Sequence, residues 1–208
     1  MPFGRFPSAA HILAKCFAFG CVVTLFACDR SAPPSKSDTK TETSATANDD
    51  GSPKALAAGD LEVLEVLTSG AKATDALPMI VAVHGLGDKP ENWRDFFSTF
   101  PIPARVILPR APEPWGDGGS WFHYPPSSEA DLASGVAKAG DRVAAAIADL
   151  EKSRPTKGLA ILTGFSQGGF VSYAVAVRHP DVIQAAFPMS GALPVALVPN
   201  ADDAKKVA

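Results

Sequence analysis

Cysteine is missing from almost all of this chain. The three cysteines are Cys16, Cys21 and Cys28, and no cysteine follows Cys28. The region beyond Cys28 therefore has neither a disulfide framework nor a cysteine-based metal site. A strong net charge is missing too, since 19 basic and 22 acidic residues give a formal charge of −3. This balance argues against a nucleic-acid partner, and 208 residues suit one soluble domain with additional segments.

A long hydrophobic run is also missing near the N-terminus. The apolar stretch over residues 16–27 is shorter than the roughly 20 residues of a membrane span, and Arg5 and Lys15 precede it as in an export signal. It ends in Leu25-Phe26-Ala27-Cys28, which resembles a bacterial lipobox, although its phenylalanine is bulkier than usual. We expect a lipoprotein signal peptide over residues 1–27, with Cys28 lipidated and the domain facing the periplasm or exterior. An ordinary signal peptide and an uncleaved short anchor are the alternatives.

Large apolar residues are scarce over residues 28–60, where Ser, Thr, Ala, Pro, Asp and Lys dominate. Such a stretch cannot bury enough surface to offset the entropy lost on ordering. The composition predicts a disordered tether between the membrane and a domain over residues 61–208. A glycosylated stalk is the alternative.

Predicted strands and helices alternate through the domain. Leu61–Leu67 alternates apolar and acidic residues and predicts an exposed edge strand. Further short apolar runs predict strands over residues 77–83, 105–108, 159–162 and 185–188, and periodic stretches predict helices over residues 92–100, 128–154 and 170–178. This order predicts an α/β layered domain with a mostly parallel sheet.

Residues 109–126 form a long predicted loop that is rich in aromatic side chains. Its aromatic residues are Trp115, Trp121, Phe122 and Tyr124. Long loops in compact domains are usually functional or disordered, and this many aromatic residues argues against disorder. Two interpretations stay open: the aromatic side chains line an acyl pocket, or they hold the loop against the core.

One stretch combines a predicted strand, a glycine-rich turn and a predicted helix. Gly164-Phe165-Ser166-Gln167-Gly168 follows the apolar run 159–162 directly, and residues 170–178 predict the helix. This context is the one that the G-x-S-x-G nucleophile elbow requires, where a strained turn exposes the serine hydroxyl. The pattern predicts Ser166 as a nucleophile. The alternative is a glycine-rich turn in which Ser166 only caps the helix.

A second glycine-rich turn, His84-Gly85-Leu86-Gly87-Asp88, follows the predicted strand 77–83. Glycines just past a strand let backbone N–H groups point into a site. We interpret the turn as half of an oxyanion hole, in which Leu86 donates its backbone N–H. The alternative is a tight strand-to-helix turn without a catalytic role.

Five motifs together resemble the phospholipase/carboxylesterase/thioesterase family, in the acyl-protein-thioesterase-like branch of the α/β-hydrolases. They are His84-Gly85-Leu86-Gly87-Asp88, Arg110-Ala111-Pro112, Gly119-Ser120-Trp121-Phe122, Gly164-Phe165-Ser166-Gln167-Gly168-Gly169 and Ser190-Gly191-Ala192-Leu193-Pro194. The resemblance implies a three-layer α/β-hydrolase sandwich that hydrolyses small carboxylic esters or thioesters without a cofactor or metal. It also implies that Ser166 is the nucleophile and that Leu86 and Gln167 hold the oxyanion through backbone N–H groups.

The sequence departs from this family in its catalytic triad. In this fold the acid and then the histidine follow the serine along the chain, but no histidine lies beyond His179. His179 comes about 13 residues after Ser166, or about 20 Å along a helix, so it is too far to act as the base. His84 and His123 are weaker candidates for the base than for structural roles.

We therefore expect residues 61–208 to form a partial hydrolase domain that lacks its last strands, with the predicted strand 185–188 near a sheet edge. We also expect a membrane-tethered serine carboxylesterase or thioesterase that is weakly active or inactive as it stands. The alternative is a truncated, inactive hydrolase or a lipoprotein that binds acyl ligands.

Overall fold

A computed structural model describes residues 55–200, so the predicted signal peptide, Cys28 and most of the predicted tether lie outside the described residues. Within that range the chain forms eight strands and three α-helices. In chain order they are β1 (Ala55–Ala58), β2 (Leu61–Leu67), β3 (Met79–Val83), α1 (Pro90–Ser98), β4 (Arg105–Pro109), β5 (Glu113–Trp115), β6 (Gly118–Ser120), α2 (Glu129–Ser153), β7 (Ala160–Phe165), α3 (Gln167–Arg178) and β8 (Ile183–Met189).

Six strands form one sheet in the order β1-β2-β4-β3-β7-β8. The four strands β4, β3, β7 and β8 run parallel, and β1 and β2 add an antiparallel pair at one side. Connections that pass through helices allow parallel neighbours, as where α1 links β3 to β4 and α3 links β7 to β8. The prediction of a mostly parallel sheet is confirmed.

The predicted edge position of β2 is wrong, because β1 lies outside it in the sheet. Leu56 pairs with Val63, and the two strands join through Gly59, whose φ of 56° lies in the left-handed region. The tether prediction over residues 28–60 is therefore wrong from Ala55 onward. Alanine-rich β1 carries little β propensity of its own, and its pairing with β2 decides its conformation.

Helices cover both faces of the sheet. On one face, α2 and α3 pack against the strands, and α2 buries Val136, Val143, Ile147 and Leu150 as its periodicity predicts. On the other face, α1 contributes Phe97 to a second core cluster with residues of β2, β3 and β4. These three layers confirm the predicted α/β-hydrolase sandwich. No helix among residues 55–200 combines the length and the apolar composition needed to cross a membrane.

The aromatic side chains of α1 differ in burial. Phe97 is buried and Trp93 packs beside it, but Phe96 is 71% exposed. Helix residues three or four positions apart share a face, so adjacent residues such as Phe96 and Phe97 diverge.

The loop over residues 109–126 is not structureless, because β5 and β6 pair as an antiparallel hairpin within it. Trp121 and Phe122, just after the hairpin, are buried in the core. Trp115 and Tyr124 remain exposed and meet edge to face, with ring centroids 5.9 Å apart. Packing against the core therefore accounts for Trp121 and Phe122 but not for the exposed pair.

The last strand, β8, lies at the other side of the sheet. Among residues 55–200 it pairs only with β7, which agrees with the predicted edge position. Phe187 and Met189 are 60% and 45% exposed there. An apolar strand edge of this kind is a template for further pairing.

Candidate active site

Ser166 lies in the turn between β7 and α3. Its φ of 54° and ψ of −116° are unusual for a residue with a side chain, and such backbone conformations cost about 1–3 kcal/mol. Its side chain makes no cap hydrogen bond to the helix, so the alternative that Ser166 only caps α3 is wrong. The turn instead leaves the hydroxyl group free of the helix.

Close backbone packing explains the two glycines of the turn. A Cβ at Gly164 would lie 2.2 Å from the carbonyl oxygen of Gly168, and a Cβ at Gly168 would lie 2.0 Å from that of Val83. Any larger side chain at either position would force these backbones apart. The end of β3, the end of β7 and the start of α3 therefore meet at Ser166.

The backbone N–H of Ser166 donates to the carbonyl oxygen of Met189, at 3.0 Å, where β8 ends. The carbonyl oxygen of Ser166 accepts from the N–H groups of Gly169 and Phe170, at 2.9 and 3.2 Å. The main chain of Ser166 is thus fully hydrogen-bonded. The next N–H along the chain, that of Gln167, has no acceptor among residues 55–200.

The turn after β3 lies directly against Ser166. A Cβ at Gly85 would be 3.4 Å from the Cβ of Ser166. The carbonyl oxygen of Gly85 accepts from Nδ1 of His84 at 2.8 Å and from the N–H of Asp88 at 3.3 Å. The backbone N–H of Leu86 finds no acceptor within the described part of the chain. Two N–H groups without an acceptor among the described residues, those of Leu86 and Gln167, thus belong to neighbouring turns at the serine.

His84 is 1% exposed, and both of its ring nitrogens have partners. Nε2 accepts from the backbone N–H of Ala111 at 3.2 Å, so Nδ1 carries the proton that is donated to Gly85. Burial lowers the pKa of His84 and favours this neutral ring. The ring has no nitrogen left to accept a proton from Ser166, so the structural interpretation of His84 is confirmed.

Gln167 has a second role that sequence reasoning missed. Its buried side chain accepts from the N–H of Trp121 at 3.0 Å and donates to Oγ of Ser120 at 3.1 Å. Nε1 of Trp121 in turn donates to the carbonyl oxygen of His84 at 2.8 Å. A buried glutamine needs such partners, and the motif Gly119-Ser120-Trp121-Phe122 was the available signal. These residues connect the two turns that flank Ser166.

Asp88 anchors the turn after β3 to helix α1. Its carboxylate accepts from the indole Nε1 of Trp93 at 2.7 Å and from Nδ2 of Asn92 at 2.6 Å. Burial opposes ionisation, but these hydrogen bonds outweigh it and lower the pKa of Asp88. On the other side, Gly87 donates its N–H to Gly119 at 2.9 Å. This support was also not predicted.

The other two described histidines lie away from the serine. His123 is exposed, and His179 ends α3, where its Nε2 lies 2.7 Å from Oδ1 of Asp141. Among residues 55–200 no histidine forms a hydrogen bond with Ser166. The exclusion of His179 as the base, predicted from its distance along the helix, agrees with its position at the far end of α3.

Residues 64–205 match the family model described as phospholipase/carboxylesterase. The chain belongs to this family. Among solved structures, it is similar to an acyl-protein thioesterase 2 from Zea mays, at 23% identity and a TM-score of 0.51, over 69% of this chain and 70% of that one. It is also similar to esterase PE8, at 25% identity and a TM-score of 0.47, over 62% of this chain and 66% of that one.

A further similarity is to a bacterial membrane phospholipase A, at 21% identity and a TM-score of 0.46. The match covers 69% of this chain but 41% of the phospholipase. The chain therefore spans less than two thirds of the length of several structures that it matches. The likeness to the thioesterase agrees with the α/β-hydrolase fold.

Proposed function

We propose that this protein hydrolyses carboxylic esters or thioesters, with Ser166 as the nucleophile. The observation that carries the proposal is the pair of N–H groups, from Leu86 and Gln167, that have no acceptor among residues 55–200 and lie beside a serine held at a φ of 54°. Membership of the phospholipase/carboxylesterase family supports the same reaction class.

In this proposal Oγ of Ser166 attacks the carbonyl carbon of the substrate, and a base takes the hydroxyl proton. The substrate oxygen becomes negative and accepts hydrogen bonds from the two N–H groups, each worth roughly 100- to 1000-fold in rate. The alcohol or thiol then leaves with a proton, and water hydrolyses the acyl-enzyme to a carboxylic acid and free serine. None of the described histidines forms a hydrogen bond with Ser166, so the proposal assigns the role of base to none of them.

A fluorophosphonate probe, which phosphonylates activated serines, tests the proposal on the 208-residue chain. We expect slow labelling, measured over hours, that Ser166→Ala abolishes. Ser69→Ala is the control, because Ser69 also has a positive φ and is more exposed than the half-buried Ser166, but follows β2 instead of β7. Equal labelling of Ser166→Ala and the unmodified protein would overturn the proposal.

A longer product of the same gene, where one exists, provides the second sample. If it supplies a base, we expect faster labelling and turnover of p-nitrophenyl esters, both lost in Ser166→Ala. Absence of labelling in every sample, with saturable binding of a fatty acid, would instead favour the lipoprotein that binds acyl ligands.

We also propose that Cys28 carries a lipid anchor that tethers the domain to a bacterial membrane. The lipobox-like Leu25-Phe26-Ala27-Cys28 supports this proposal. Cys28→Ala should release the protein from membranes or block its processing, because several acyl chains on one residue anchor a protein firmly. Cys21→Ala is the control and should leave fractionation unchanged. The same membrane fraction and mature mass for Cys28→Ala as for the unmodified protein would contradict the anchor.

A further inference from the structure

We propose that His84 is a positioning residue that aims the backbone N–H of Leu86 at the oxyanion. The inference rests on the proposed function, because it concerns one donor of that same site. Its basis is that His84 holds the carbonyl oxygen of Gly85, and this carbonyl belongs to the same peptide unit as the N–H of Leu86.

Peptide geometry links the two groups rigidly. The Gly85–Leu86 bond is trans, and a trans peptide is planar with its C=O and N–H pointing in opposite directions. Rotation of this plane is the motion that would turn the Leu86 N–H away from Ser166. The hydrogen bond of 2.8 Å from Nδ1 of His84 to the Gly85 oxygen opposes that rotation. Glycine at position 85 would otherwise make this rotation easy.

The other carbonyl contact is weaker. The N–H of Asp88 also donates to Gly85, but at 3.3 Å, which is beyond the usual range for such a bond. The shorter contact from His84 therefore contributes more to the orientation of this plane.

His84 is itself fixed in the tautomer that this role needs. The backbone N–H of Ala111 can only donate, so Nε2 must be the acceptor and Nδ1 the donor. The indole ring of Trp121 packs against the imidazole at 5.3 Å and donates to the His84 carbonyl. A ring held from two sides keeps a constant direction for the Nδ1–H bond.

Two substitutions separate the two ring contacts. In His84→Asn, the amide nitrogen can occupy the place of Nδ1 and donate to Gly85, while the contact with Ala111 is lost. In His84→Gln, the longer side chain can reach Ala111 with its oxygen, while the donor to Gly85 is lost. Each variant removes one ring hydrogen bond, so both should lose similar thermal stability.

The test measures the limiting rate constant of fluorophosphonate labelling and the probe concentration at half-saturation, on the 208-residue chain. We expect His84→Gln to lower the limiting rate by roughly 10- to 100-fold, a partial loss of one oxyanion donor, with half-saturation unchanged. His84→Asn should stay within about threefold of the unmodified protein, because it keeps the donor. Equal rates for the two variants, or a rate loss that follows thermal stability, would overturn the inference.

If His84→Gln does not fold, His84→Asn decides alone. A folded His84→Asn that labels within about threefold of the unmodified protein agrees with the inference, and a loss beyond tenfold overturns it. Ser166→Ala keeps the two proposals apart. If Ser166→Ala abolishes labelling while both His84 variants label normally, the positioning role fails and the proposed function stands.

Discussion

The two N–H groups beside Ser166 are held by different parts of the molecule. The N–H of Gln167 belongs to a peptide unit whose carbonyl, from Ser166, is bonded to the backbone of α3. The N–H of Leu86 belongs to a peptide unit whose carbonyl, from Gly85, accepts two hydrogen bonds. The shorter of the two comes from the side chain of His84. Helix formation alone therefore orients the first donor, whereas the second also depends on a side chain.

This difference implies unequal sensitivity to substitution. Free N–H groups at the start of any helix point out of its N-terminal end, roughly parallel to its axis, so the orientation of the Gln167 donor depends on no particular side chain. The Leu86 donor depends on His84, which in turn contacts Ala111 and Trp121 from distant parts of the sequence. The Leu86 half of the candidate oxyanion hole should therefore be the more easily lost.

The largest effect should follow Gly168→Ala, which disrupts the contact between the Leu86 half and the Gln167 half of the candidate oxyanion hole. The new Cβ would lie 2.0 Å from the carbonyl oxygen of Val83, and neither backbone can move without separating β3 from α3. We expect a loss of about 3 kcal/mol or more in the free energy of unfolding, measured by urea denaturation. Gly116→Ala is the control, since no atom of residues 55–200 lies within 4 Å of the added Cβ and only the φ of 55° opposes the change. An unchanged free energy of unfolding for Gly168→Ala would mean that β3 and α3 can move apart without loss of stability.

An intermediate effect on stability should come from a change of pH, which acts on His84 and so on the Leu86 half of the candidate oxyanion hole. Burial lowers the pKa of His84, so the folded protein binds fewer protons here than the unfolded chain. This contribution to stability is present above the unfolded pKa of about 6.5 and is lost as pH falls toward the lower folded value. Nearby Asp88 and Glu91 oppose the lowering and Arg110 adds to it.

Urea denaturation at pH 7.5 and pH 5 measures this effect. We expect a lower unfolding midpoint at pH 5 for the unmodified protein and a smaller difference for His84→Asn, which cannot titrate at this position. Subtracting the pH response of His84→Asn from that of the unmodified protein removes the contributions of the other titrating groups. The same pH response in both would show that His84 does not titrate differently on folding.

The smallest effect should follow Leu86→Ala. The proposed donor is a backbone N–H, and this substitution keeps it, while the Leu86 side chain is only half-buried. We expect the fluorophosphonate labelling rate to stay within about threefold of the unmodified rate, well above that of His84→Gln. A loss as large as that of His84→Gln would assign the Leu86 side chain a direct part in the reaction.

Local sequence signals predicted much of this fold. The apolar runs of β3, β4, β7 and β8, the buried stripe of α2 and the glycines around Ser166 each carry their signal within a few residues. Such patterns reflect the direction in which successive side chains point and the room that a glycine leaves for close backbone packing. Short stretches of sequence determine both. Ser166 and Leu86 stood out in the sequence for this reason, because each lies in a glycine-rich turn, whereas the role of Gln167 was implied by the family resemblance.

Tertiary structure decided what depended on partners far away in the chain. Ala55–Ala58 is a strand only because β2 offers it a free edge, and alanines by themselves do not predict one. The proton of His84 resides on Nδ1 because Ala111, 27 positions later, presents an N–H to Nε2. The sequence by itself determined which residues form the two turns around Ser166. Only folding decided how their peptide planes are oriented, because the hydrogen bonds that fix those planes join segments that only the folded chain brings together.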